Sequence, residues 1–199
     1  MLVTVLVMSV NDLKQRAQEI EQLVENSKDG DQQAFALLYD IFIDHIYRYV
    51  YYRVGSDDVE DIVETVFLKV WEKIQQYTKK PNRQFSAWIF RIAHNLVVDY
   101  YRTAAERSTE ELGLNLPDET RQHNPIRVTQ DVLNKEVLRN ALNKVKKQYR
   151  DILVYKFIND LSNAEISAII RKSEGSVRIL QFRALKALKK ILAENGIKY

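Results

Sequence analysis

The chain has 199 residues and a mass of 23.4 kDa, enough for one ordinary domain or two small ones, with only 5 Gly and 3 Pro to interrupt it. The absence of Cys excludes disulfide scaffolds, thiolate zinc sites and thiol nucleophiles and suits a reducing cytosol, while His45, His94 and His123 are too scattered for a helical metal pair. With 46% apolar and 29% charged residues general disorder is excluded, and the net charge of +3 conceals −3 over residues 1–107, −3 over 108–131 and +9 over 132–199.

Few breakers and many aliphatics predict a mostly helical chain. Met1 to Val10 is apolar but about half the length of a membrane span and lacks a basic start and cleavage site; Met8 offers an alternative start. Leu13, Ala17, Ile20 and Val24 then fall at helical spacing. Asp31 is placed to cap a helix running to about Val54, with Phe35, Leu38, Phe42, Ile46 and Tyr49 or Val50 inward and Gly55 as its left-handed stop. Asp57 with Glu60 resembles a capping box opening a helix built on Val59, Ile62, Val66, Val70 and Ile74, whose stripe Val63, Phe67 and Trp71 widen towards the core. A polar, basic stretch from Tyr77 to Gln84 precedes a helix with Phe85, Trp88, Ile89, Ile92, Ala93 and Leu96 on its buried side.

Residues 108–130 hold Pro117 and Pro125, are acidic and carry no sustained period, so they divide the chain as a flexible linker. Beyond it the pattern predicts helices over Val132–Val145 and Tyr149–Phe157, then a short one capped by Ser162 and a longer one capped near Ser173. Val177, Leu180, Ala184 and Leu188 of the last lie within about 80° of one another on a helical wheel, a narrow buried strip. A short helix, a tight turn and a longer basic helix make a helix-turn-helix, which suits duplex DNA because a helix fits the major groove and basic residues meet phosphates. Charge alone does not separate this from an ordinary helical hairpin with surplus lysine.

In the first half, Arg91, Asn95 and Arg102 share a polar ridge flanked by Trp88, a set that offers charge to phosphates and flat faces to unpaired bases. For Trp88 by itself, a place in the core is the simpler reading. No Gly-rich phosphate loop, metal-ligand set or nucleophile-and-base arrangement is present, so neither an enzyme nor a cofactor is expected.

Three stretches together resemble one family. The run Asp57-Asp58-Val59-Glu60-Asp61-Ile62-Val63-Glu64-Thr65-Val66-Phe67-Leu68-Lys69-Val70-Trp71 is similar to the polymerase-binding helix of bacterial sigma factors. The FxAWxxRIAxNxxxDxxR pattern from Phe85 to Arg102 is similar to their promoter-melting and minus-ten-reading helices. Glu165-Ile166, Gly175-Ser176-Val177-Arg178 and Arg183-Ala184-Leu185 resemble their minus-thirty-five-reading helix-turn-helix. The short two-domain layout is similar to the extracytoplasmic-function group of the sigma-70 family.

This resemblance implies an all-α protein: an extension over 1–26, a region 2-like bundle over 27–107, the linker over 108–130 and a region 4-like helix-turn-helix unit over 131–199. It implies a cytoplasmic, non-catalytic factor that binds core RNA polymerase and promoter DNA, often restrained by an anti-sigma factor, with no membrane insertion of its own. Asp58, Glu60, Asp61 and Glu64 would meet polymerase, and Phe67 and Trp71 would pack inside. Lys79, Lys80, Asn82, Arg83, Trp88, Arg91, Asn95 and Arg102 would serve the minus-ten element. Lys172, Ser173, Glu174, Ser176, Arg178, Gln181 and Arg183 would serve the minus-thirty-five element. The chain departs from the family pattern at Glu64-Thr65, usually Gln-Glu, at Arg171, usually Gly, and at Gln181, usually aliphatic; the second departure predicts a different turn. Two rivals stay open: a conventional helix-turn-helix regulator independent of polymerase, and a mimic that sequesters an anti-sigma protein without binding DNA.

Overall fold

In the computed structural model, which describes residues 12–54, 56–79, 84–110 and 130–194, every regular element among those residues is helical. The first unit comprises α1 (Asp12–Gln15), α2 (Ala17–Lys28), α3 (Gln32–Tyr51), α4 (Val59–Lys73) and α5 (Phe85–Glu110). Asp31 caps α3 as its position predicts, accepting from the N–H groups of Gln33 at 2.8 Å and Ala34 at 3.1 Å. Gly55 lies outside the described residues, and α3 already ends at Tyr51, with the Tyr52 N–H on the Arg48 carbonyl at 3.2 Å.

The N-cap of α4 is Asp58, one residue later than the capping box expected at Asp57 and Glu60 requires. Ser56–Asp58 makes a 3₁₀ turn instead, and Asp58 precedes α4 without a side-chain cap. The Asp58 carboxylate accepts a 2.7 Å bond from the Tyr100 hydroxyl of α5. Burial and that neighbouring carboxylate push the Tyr100 phenol up to about 12.

The second unit comprises α6 (Gln130–Asn143), α7 (Lys147–Leu153), α8 (Asn163–Ile170) and α9 (Glu174–Glu194). The single helix expected over Tyr149–Phe157 is α7 followed by a π turn, Val154–Ile158, with the Asn159 N–H on the Val154 carbonyl at 3.1 Å. Ser162 and Glu165 form the complete capping box of α8. Arg171 then adopts φ 54°, ψ 46°, so the left-handed turn that glycine favours is kept without glycine, contrary to the expected rearrangement. Ser173 Oγ accepts from the Ser176 N–H at 3.2 Å and starts α9. Val177, Leu180 and Ala184 are buried as the wheel predicts, and Leu188 is half-buried.

The two units share one continuous hydrophobic core. Tyr49 of α3 stacks on Tyr155 of the π turn with ring centroids 5.0 Å apart and hydroxyls 3.0 Å apart. Phe90 packs edge-on against both rings. Arg53 and Asp151 form an ion pair at 2.8 Å across the same seam, and α8 lies along α5. Spacing within either unit carries no signal for these pairs.

Candidate nucleic-acid and partner interfaces

The acidic start of α4 runs beside an apolar groove. Glu60, Val63, Glu64, Phe67, Leu68 and Trp71 of α4 face Phe35, Tyr39, Ile43 and Tyr47 of α3 across an open volume of about 580 Å³. Phe67 is buried, as expected. Trp71 is not: it stays 43% exposed, edge-on to Phe35 at 4.7 Å, and Leu68 is 56% exposed. Those rings have one another on one side and solvent on the other, because no further element of the described chain covers the groove. Glu60, Asp61 and Glu64 are exposed on the same helix, whereas Asp58 is half-buried and held by Tyr100. The acidic set therefore divides, with three carboxylates outward and one structural. An apolar trough with a carboxylate rim suits an amphipathic helix carrying basic flanks.

The minus-ten candidates lie along α5 and the segment before it. Tyr77 is buried rather than part of a solvated loop, and its hydroxyl donates to Glu21 at 2.9 Å. Lys79 is exposed, while Lys80, Asn82 and Arg83 lie outside the described residues. Trp88 is half-buried against Tyr77 at 5.5 Å and Phe85 at 5.3 Å, which favours the packing role. Asn95 is exposed, and Arg102 is exposed beside Asp99 at 3.1 Å and Glu106 at 3.8 Å. Arg91 is half-buried and donates to the Ile169 carbonyl at the end of α8. His94 follows one turn on, its Nδ1 3.0 Å from the Tyr155 hydroxyl. Burial, with Arg53 and Arg91 nearby, pulls its imidazole down to about 4, so it is neutral at pH 7. The ridge predicted from Arg91 to Arg102 exists, but its first turn is covered by the second unit.

On the helix-turn-helix, Lys172, Ser173 and Glu174 are exposed, Ser176 is half-buried beside Ser173, and Arg183 is exposed. Arg178 is exposed and lies 3.7 Å from Glu174. Gln181 is half-buried: its Nε2 donates to Asn163 Oδ1 at 2.7 Å and ties α9 to α8, while Leu180 takes the core position. Sequence reasoning missed Phe182, 71% exposed, and Ile179, 55% exposed, on the outward face with Arg178 and Lys186. The signal was available, since Phe182 sits about 140° from Val177 on the wheel, an aromatic opposite the buried strip. Basic residues around an apolar centre match a major groove, where thymine methyl groups interrupt a polar floor.

Among the described residues no group of acidic or imidazole side chains is arranged for a metal ion, and no helix is long and apolar enough to cross a membrane. The chain matches the family Sigma-70 region 2 over residues 38–107 and Sigma-70, region 4 over residues 135–188. It is 32% identical to the ECF RNA polymerase sigma factor BldN of Streptomyces coelicolor, an alignment covering 88% of this chain and 66% of that one. It is 31% identical to the ECF RNA polymerase sigma factor SigW of Bacillus subtilis, over 88% of this chain and 97% of that one. Its fold is similar to that of the sigma factor RpoE of Bartonella quintana, solved with the anti-sigma factor NepR, at TM-score 0.69, 19% identity and coverage of 80% and 96%. Two family segments in order, each centred on one of the interfaces described, leave one assignment: the chain belongs to the ECF group of sigma-70 family RNA polymerase sigma factors.

Proposed function

We propose that this sigma factor engages core RNA polymerase through the groove between α3 and α4, with Glu60, Asp61 and Glu64 as its charged rim and Trp71 and Leu68 as its apolar contact. The observation that carries the reading is Trp71: a large indole left half in solvent beside three outward carboxylates fits a partner surface better than a finished core. The acids steer a basic partner and the rings supply the desolvated centre.

Promoter reading is divided between the units. Asn95, Arg102 and, once released, Arg91 meet the minus-ten strand. Arg178 and Phe182, with Arg183 and Lys172 towards the phosphates, meet the minus-thirty-five duplex. A good bidentate base contact discriminates by ~1–3 kcal/mol, whereas a phosphate contact lowers affinity for all sequences alike. The chain performs no bond chemistry itself, and it works in the cytoplasm, where polymerase and promoters are. A restraining partner that covers the α3–α4 groove would block polymerase directly.

Run-off transcription with purified core polymerase over a promoter library tests this reading. New, sequence-selective start sites that depend on the added chain support it. Unchanged initiation and no co-elution with core polymerase would refute it.

A further inference from the structure

Between the buried strip of α9 and its outward face lies a polar side chain that neither joins the core nor stands free. On the helical wheel Gln181 falls about 40° from buried Val177 and about 60° from exposed Arg178. We infer, on the promoter role proposed above, that Asn163 and Gln181 are a positioning pair. Their hydrogen bond fixes the angle at which α9 presents Arg178 and Phe182 to the minus-thirty-five duplex, and Gln181 acts through Asn163 rather than on the bases.

The helix-turn-helix is pinned at two points. One is the turn, where the Ser167 carbonyl accepts from the Lys172 N–H at 3.2 Å and the Ser167 hydroxyl donates to the Lys172 carbonyl. The other is the 2.7 Å bond from Gln181 Nε2 to Asn163 Oδ1. Asn163 opens α8, which ends at Ile170, and Gln181 lies as far into α9 beyond Glu174, so each leg is about 10 Å long. The bond therefore closes a triangle whose apex is the turn. A turn alone would leave a hinge; a second fixed point sets the crossing angle.

Between those points α8 and α9 bury Ile166, Ile169, Val177, Leu180 and Ala184. Aliphatic contact is non-directional, so it holds the helices together without selecting one rotation. A hydrogen bond weakens steeply as its angle departs from linear, so it does select one. Both amides are half-buried, and a single neutral bond there adds little net stability, which leaves geometry as its main effect. Neither residue has a competing local task. Ser162 and Glu165 complete the capping box of α8 without Asn163, and Leu180 fills the core beside Gln181.

Base-reading side chains must be held within about 0.5 Å and 10–20° of their productive geometry. Phe182 adjoins Gln181, and Arg178 lies one turn before it. A roll of about 10° moves a tip about 6 Å from the helix axis by about 1 Å, twice that tolerance. Lys172, a cation on a flexible stem, follows a phosphate through such a shift. Losing the pair should therefore cost sequence discrimination and spare general DNA affinity.

The test uses the full chain and two fluorescein-labelled duplexes of equal length, one selected by the wild-type chain from a randomised library and one its shuffled counterpart. The ratio of the two affinities cancels any equilibrium of the chain that precedes binding. Asn163→Leu and Gln181→Met keep side-chain size while removing the acceptor or the donor; Asn163→Ala replaces the first if it folds poorly. Each is expected to lower the ratio at least fivefold, the double variant no further, while affinity for the shuffled duplex stays within twofold. Asn163→Asp keeps the acceptor, suits a helix start and should hold the wild-type ratio within twofold. Loss confined to Gln181→Met would mark a direct base contact and overturn the positioning role. Losses that add in the double variant, equal weakening of both duplexes, or a collapsed ratio in Asn163→Asp also overturn it. A wild-type chain that selects no duplex refutes the promoter reading itself, whereas selection as sharp in both single variants as in the wild type refutes the pair alone.

Discussion

Replacing Arg171 by Gly should stabilise the protein. Arg171 holds φ 54° and ψ 46° between α8 and α9, and its exposed side chain carries no packing. A left-handed conformation costs a non-glycine residue ~1–2 kcal/mol. Glycine removes that cost but adds freedom to the unfolded chain, returning ~0.5–1 kcal/mol. The backbone bond from the Arg171 N–H to the Ser167 carbonyl needs no side chain and survives. The net expectation is a gain of ~0.5–1 kcal/mol, which for a chain of this size raises Tm by roughly 1–4 °C. Thermal and urea melts followed by far-ultraviolet circular dichroism measure it, with Arg171→Ala as the control that keeps the strain and should not gain. Asp160→Gly relieves the other positive φ among the described non-glycine residues, 48°, but loses the contact with Lys14, so it should gain less. If Arg171→Gly melts at or below the wild-type temperature, the reasoning about this turn is wrong.

Phe182→Ala should leave stability within ~0.5 kcal/mol, because the ring is mostly in solvent, yet weaken minus-thirty-five duplex binding several-fold in a fluorescence-anisotropy titration. Trp71→Ala and Glu64→Lys should each reduce co-elution with core polymerase while leaving duplex binding unchanged; equal loss of both would indicate misfolding. The His94 imidazole should titrate at about 4 by NMR in the folded chain and move towards 6.5 on unfolding in urea. A depressed imidazole contributes stability that is present above its unfolded pKa and lost as pH falls through the folded value. Asp151, raised to about 6 by burial against the pull of Arg53 and Arg150, has the opposite sign: its contribution is present at low pH and lost as pH rises through about 6. The two oppose each other between about pH 4 and 6, so His94→Gln should convert a nearly flat profile into stability that rises on acidification, read by urea midpoints at pH 7 and 5.

Much of the fold was legible because helices announce themselves through spacing. Asp31 and Ser162 cap where their positions predict, and Val177, Leu180 and Ala184 are buried as the wheel places them. Periodicity identifies an apolar stripe but not whether its edge finds cover, and Trp71 was assigned inward for that reason. Asp57 and Glu60 have the spacing of a box, but a 3₁₀ turn over Ser56–Asp58 moves the helix start on by one, to an N-cap at Asp58 whose carboxylate takes the Tyr100 hydroxyl, 42 residues away. Spacing also gives no sign that the Gln181 amide bonds Asn163, 18 residues earlier. The seam was the least legible feature, since Tyr49 and Tyr155 are 106 positions apart and only tertiary assembly brings them together.

The π turn at Val154–Ile158 adds one surplus residue to a helical turn, and a single residue amounts to about 100° of rotation. Removing one residue there would let the segment rewind as ordinary helix, swinging everything after it around the Tyr155 anchor. The reading head would then point elsewhere while each half remained intact, so this small irregularity acts as the indexing notch between anchor and head.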